Sequence, residues 1–142
     1  MSKLIYNKII AKLKFLDEYQ GYLKDIQKVN RQSFLKDYHF FGSAERYLQL
    51  SIEIVLDISK LLIIAYDLPR PENNEEIFEL LKDKKIISDT LFIQIRDIYK
   101  FRNVLVHVYE KLDRRIVYEK LQNNLDDFID FKKAILRVIN KL

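Results

Sequence analysis

The chain has 142 residues, a formal net charge of +4, no cysteine and two histidines, His39 and His107. That length suits one domain over 1–142, and the histidine and cysteine counts exclude a disulfide framework, a zinc-thiolate site, a thiol nucleophile and a multi-histidine metal centre. With only two glycines and two prolines, the turn residues of a many-stranded sheet protein are missing, so an all-helical protein working without metal or cofactor is expected.

Ile5, Ile9, Leu13, Leu16, Leu23 and Ile26 recur at helical steps with Lys and Asp between them, which predicts a long amphipathic first helix. After a polar stretch at Asn30 to Ser33 and a short turn, Gly42-Ser43 offers a break and an N-cap for a second long helix through Leu48, Ile52, Val55, Leu56 and Ile58 to about Tyr66. Pro69 and Pro71 mark the loop from Asp67 to Asn74. A short third helix carries Ile77, Leu80 and Leu81, with Glu75, Glu76 and Glu79 complementing its N-terminal dipole. Ser88 caps a fourth helix bearing Leu91, Ile95, Ile98 and Leu105, and Asp113 caps a fifth bearing Val117, Leu121, Leu125, Phe128 and Ile135. The expected architecture is an up-and-down bundle of four long helices plus a short one, since short connections make successive helices antiparallel neighbours. The most apolar run, Leu61 to Tyr66, is far shorter than the roughly 20 residues that span a bilayer, and no targeting segment is evident, so a cytoplasmic protein away from membranes is expected.

Charge is unevenly spread. Between Ile95 and Lys120 seven bases (Arg96, Lys100, Arg102, Lys111, Arg114, Arg115 and Lys120) oppose four acids, which places +3 of the net charge in one segment. Such a concentration suits a polyanion, although taken alone it is more often a solvated helix surface, so charge by itself decides nothing.

On an ideal wheel for Leu91 to Tyr109, at about 100° per residue, Arg102 and Tyr109 fall inside the apolar stripe of Leu91, Ile95, Ile98 and Leu105. A guanidinium buried alone would cost several kcal/mol, so Arg102 must meet a carboxylate, such as Glu53 or Asp57 of the second helix, a partner chain, or a cleft that holds an anion. His107 lies about 140° around the same wheel, beside Asn103, Lys100 and Arg96. One straight helix cannot aim both at one point, so either the helix distorts or two copies meet, and the dimer is the favoured resolution. Two imidazoles and two guanidiniums around one cleft would suit in-line RNA cleavage: a base for the 2′-hydroxyl, an acid for the leaving 5′-oxygen and cations for the phosphorane. Glu53 and Asp57 share a face of the second helix with Arg46 and Gln49 and are expected to orient Arg102 rather than to transfer protons. His39, among Tyr38, Phe40 and Phe41, is read as a packing or turn residue, and Tyr99, Phe101 and Tyr118 as packing residues rather than base-stacking ones.

The stretch Phe101-Arg102-Asn103-Val104-Leu105-Val106-His107-Val108-Tyr109 resembles the R-x-x-x-x-H-x-Y signature of the HepT family, within the HEPN superfamily of helical RNases. Ala44 to Gln49 with Ile52-Glu53 and Asp57-Ile58, the loop Leu68-Pro69-Arg70-Pro71, Leu80-Leu81 and the Asp113, Ile116-Val117-Tyr118 start of the last helix resemble that family in the same order. The resemblance implies a HEPN-like homodimer with these segments at the interface and a metal-independent endoribonuclease toxin of a toxin–antitoxin pair acting on RNA. It further implies Arg102 and His107 as the catalytic pair, Asn103 as a polar neighbour, and Tyr109 as the site where a separate nucleotidyltransferase antitoxin of the MntA type adds AMP.

Two readings of other classes remain. The chain could be a non-catalytic binding partner of a nucleotidyltransferase, with Arg102 holding a nucleotide phosphate. It could also be a purely structural dimer in which Arg102 pairs with Glu53 across the interface.

Overall fold

The computed structural model describes residues 1–105 and 113–141. Among them are seven helices and no strand: α1 Lys3–Gln27, α2 Arg31–Lys36, α3 Tyr38–Ala65, α4 Asn74–Asp83, α5 Asp89–Leu105, α6 Arg114–Asn123 and α7 Leu125–Asn140. The four long helices α1, α3, α5 and α7 pack in a ring, each against the next and α7 back against α1. Two cross-links fix α1 and α3 as antiparallel, and others tie α1 to α7 and to α6. Lys12 meets Asp57 and Gln20 meets Ser51 across α1 and α3, while Asp17 meets Lys132 across α1 and α7 and Gln27 meets the carbonyl of Leu121 in α6. The short α4 lies over α3 and α5, and α2 and α6 close one end of the bundle together.

The apolar periodicity of the sequence becomes the interior. Ile9, Leu13, Leu16 and Leu23 of α1 meet Leu48, Ile52, Val55, Ile58 and Leu62 of α3, Leu91, Ile95 and Ile98 of α5, and Phe128, Phe131, Ile135 and Ile139 of α7 in one buried core. Burial at about 25 cal/mol per Å² of apolar surface is what holds the ring. Of the polar side chains in that interior, Ser59 bonds back to the carbonyl of Val55 at 2.8 Å and Gln20 donates to Ser51 at 3.2 Å. Among the described residues no helix is long and apolar enough to cross a membrane.

Two boundaries differ from the sequence reading. The second long helix starts at Tyr38 rather than after Gly42-Ser43, because the Asp37 side chain accepts the backbone N–H of His39 and caps it six residues earlier. Gly42 has open space around its α-carbon and is carried within the helix. His39 therefore belongs to a helix start and not to packing: its ring is largely in solvent, stacks on Tyr38 and sits 2.9 Å from the Asp37 carboxylate. The end of α3 falls where the sequence reading put it, with Tyr66 as C-cap; Asp67, at a left-handed φ of 53°, follows, and the Leu68 N–H bonds back to the Ile63 carbonyl. The expected fifth helix is two, α6 and α7, broken at Asn124. Asn123-Asn124 is a weak helix-forming pair followed by Asp126 and Asp127, which suit a new N-terminus. The caps at Ser88 and Asp113 form as expected, accepting from Leu91 and Arg115.

Candidate active site

The outward stripe of α3 is made by Arg46, Gln49, Glu53, Asp57, Lys60 and Ile64, spaced by three and four residues so that all share one face. Because α5 runs antiparallel to α3, its last turn comes level with the middle of that stripe, and Arg102 donates from Nε to Glu53 Oε1 at 2.5 Å. The two side chains keep 29% and 33% of their surface exposed, so the guanidinium is neither stripped of water nor free to wander. It stays on the edge of the buried row of Leu91, Ile95, Ile98 and Phe101 and reaches outward from there. The Glu53 hydrogen bond pushes the guanidinium further above its ordinary range, against a smaller opposing effect of burial, with Tyr99 adding in the same direction as Glu53. At any physiological pH the charge at this point is fixed.

The pairing lies within one chain, which corrects the reading in which Arg102 meets Glu53 across an interface. Asp57 does not join it. Four residues further along α3 is about 6 Å of rise, beyond the level of Arg102, and there Asp57 accepts from Lys12 of α1 at 3.3 Å. The two carboxylates that the sequence presented as equivalent thus serve different neighbours. Asn103 and Val104, next on α5, are exposed, and Leu105 is half-buried. His107 and Tyr109 lie outside the described residues.

A second layer was not legible in the sequence. Tyr99, one turn before Arg102, packs edge-on against Phe78 of α4 and accepts a hydrogen bond from Asn74 Nδ2 at 3.1 Å. Asn74, Tyr99, Arg102 and Glu53 therefore tie α4, α5 and α3 to one point. The spacing of Tyr99 and Arg102 at i, i+3 could have signalled their proximity. Nothing in the sequence signals Asn74, which is brought in from the far side of a loop. Phe101 and Tyr118 are packing residues as read, Phe101 buried at 6% exposure and Tyr118 against Phe34.

The bases between Ile95 and Lys120 are mostly occupied. Arg114 donates to the Leu35 carbonyl and covers the Phe41 ring, Arg115 binds Asp113, Arg96 sits 3.7 Å from Asp97, and Lys120 lies over Phe101. Lys111 is outside the described residues. Among the described residues no group of three or more His, Asp or Glu is placed to hold a metal ion.

The all-helical fold is HEPN-like, by its likeness to a solved HEPN toxin. The model of the family described as ribonuclease HepT-like matches residues 12–135, so the chain belongs to the HepT-like ribonuclease family. It is 29% identical over 137 residues to the mRNA nuclease HepT of Shewanella oneidensis, covering 95% of this chain and 98% of that one. It is 25% identical over 120 residues to the tRNA nuclease HepT of Aphanizomenon flos-aquae, covering 84% and 82%. In structure it matches the tri-AMPylated Shewanella oneidensis HEPN toxin in complex with its MNT antitoxin at a TM-score of 0.76 and 26% identity, over 96% of this chain and 99% of that one. A toxin–antitoxin crystal structure with AMP-PNP shares the fold at a TM-score of 0.82 and 24% identity, over 91% and 97%.

Proposed function

We propose that this chain is a metal-independent endoribonuclease, the toxin of a toxin–antitoxin pair, acting in the cytoplasm as a single domain over 1–142 and cutting RNA at a composite site between two copies. The observation that carries the reading is the orientation of Arg102. Its Nε is taken by Glu53, so the fork of its terminal nitrogens is set for a bidentate bond to a phosphate. In the HepT signature the same arginine leads R-x-x-x-x-H-x-Y, which here ends at His107 and Tyr109.

In the proposed reaction one His107 takes the proton of the 2′-hydroxyl as that oxygen attacks the adjacent phosphorus. The other His107 gives a proton to the leaving 5′-oxygen, so that the strand separates into a 2′,3′-cyclic phosphate and a 5′-hydroxyl end. Arg102 of each copy neutralises the charge that builds on the phosphorane, and Asn103 supplies a polar contact beside it. Glu53 is a positioning residue, and Asp57 supports α1 rather than the arginine.

Silencing follows the same electrostatics. The Shewanella toxin is AMPylated in its complex with the antitoxin. Here a separate nucleotidyltransferase antitoxin would add AMP to Tyr109, placing phosphates where they compete with the RNA backbone for Arg102.

The test is cleavage of one sequence as single-stranded RNA and as DNA, by wild-type and His107→Ala protein, in EDTA. The expected result is RNA cleavage alone, retained in EDTA and lost in the variant. RNA bound without cleavage by unmodified wild-type protein would replace this reading with that of a non-catalytic nucleotide-binding partner.

A further inference from the structure

At the opposite end of α5 from Arg102, a cavity of about 350 Å³ opens between the end of α3, the α4–α5 loop and the last turns of α7. Its floor is Tyr66, Ile86, Leu91 and Val138, and its rim carries Lys84, Lys85, Arg137 and Lys141. Among the described residues no carboxylate lines it. None of the four cations is in an ion pair with a carboxylate of the described residues, unlike Arg102, Arg96 and Arg115.

Four cations held close together without counter-charge repel one another, and a bound polyanion relieves that repulsion. The shape narrows the polyanion. A concave floor with a tyrosine and aliphatic side chains under a cationic rim matches the base-plus-phosphate chemistry of a single-stranded nucleic acid, and the volume falls in the range of sites that hold one small ligand, about 300–1,000 Å³. A flat lipid surface has no use for the concavity.

We infer that this cavity is a second RNA-binding site, which holds one nucleotide of the substrate strand with its phosphates against Lys84, Lys85 and Arg137, several nucleotides away from the cut. The inference rests on the proposed ribonuclease reading for its substrate. From Ser88 to Arg102 α5 rises roughly 21 Å, at about 1.5 Å per residue. At about 3.4 Å per stacked nucleotide, a strand needs about six nucleotides to span both sites. Substrate length is thus the variable that separates the two: a short RNA occupies the cleavage site alone, and a longer one gains the second anchor.

The experiment compares wild-type protein with Lys84→Gln/Lys85→Gln/Arg137→Gln, checked for an unchanged melting curve, on single-stranded RNAs of about four and about 20 nucleotides. Binding is read by anisotropy across salt concentrations and cleavage by kcat and KM. The expected result is that the variant binds the long RNA about tenfold or more weakly. Its salt dependence should become shallower by about 1.4 in log–log slope, at about 0.7 for each of the two phosphates that flank the held nucleotide, with kcat and short-RNA cleavage unchanged. Equal binding of the long RNA by both proteins overturns the inference, as does a variant that loses affinity for anionic vesicles or an acidic polypeptide while its RNA binding stands. Because binding is read separately from cleavage, a protein that binds long RNA through these residues but never cuts it would refute the ribonuclease reading and leave the second site in place.

Discussion

Two ion pairs stand one turn apart on the same face of α3, and they do different things. Glu53 holds a guanidinium that comes from the end of α5 and faces outward, with about a third of each side chain in solvent. Asp57 holds the ammonium of Lys12 and ties α3 to α1, with 34% and 44% exposed. Neither pair is buried enough to stabilise the fold by much, since exposed pairs are worth about 0.2–1 kcal/mol. The difference lies in what is oriented. A planar fork fixed at Nε presents its other donors in a set direction, while a Lys ammonium is a point charge with no direction to give. Stability thus comes from the apolar ring, and the stripe on α3 is left for positioning.

Substitutions separate the two pairs. The greatest loss is expected from Arg102→Ala, which should lower RNA cleavage by about 10²–10³-fold, the scale for losing a group that stabilises transition-state charge. Its melting temperature should move little, because about a third of each side chain of the lost pair is already in solvent. Glu53→Gln keeps the shape but releases the guanidinium, and about a tenfold fall in kcat is expected, the lower end for partners that orient a reactive group. Tyr99→Phe keeps the ring against Phe78 and removes the hydroxyl between Asn74 and Arg102, and about a fivefold fall is expected, equivalent to one hydrogen bond of about 1 kcal/mol. Asp57→Asn should stay within about twofold of wild type in the same assay, so equal losses at Glu53 and Asp57 would erase the distinction between the pairs.

A slighter effect concerns pH. Hydrogen bonds from the Arg115 side chain and then its backbone hold the Asp113 carboxyl below its ordinary value, so the folded chain binds this proton less readily than the unfolded one. The stabilisation is fully present above the unfolded value of about 3.9 and is lost as pH falls through the lower folded value. Melting curves followed downward from about pH 6 should show this loss in wild type and a flatter profile in Asp113→Asn.

The same contrast shows what the linear sequence carries. Helix existence and core faces follow from periodicity, and the caps at Ser88 and Asp113 follow from residue type, because both are local. The start of α3 was legible in principle at Asp37, but Gly42-Ser43 outweighed it as punctuation. Glu53 and Asp57 could not be told apart, since their partners depend on how far α5 reaches along α3. That is a matter of loop geometry and not of spacing. For the same reason the cationic cavity was invisible: Lys84, Lys85 and Arg137 come together only when the start of α5 and the end of α7 meet. In the segment from Ile95 to Lys120, Arg96 and Arg115 pair with acids of the same segment, and Arg102 reaches Glu53 outside it.

A composite site draws one His107 from each of two copies, and diluting wild-type chains into inactive ones reads that dependence. Wild-type protein and an excess of His107→Ala protein, at about one part to nine, are unfolded together, refolded and assayed on single-stranded RNA at fixed total concentration. With a site that needs both histidines, only dimers of two wild-type chains cut, and random pairing leaves about 1% of the undiluted activity. If mixed dimers form in the expected proportion and about 10% remains, each wild-type chain works with its own His107, and the composite site is contradicted.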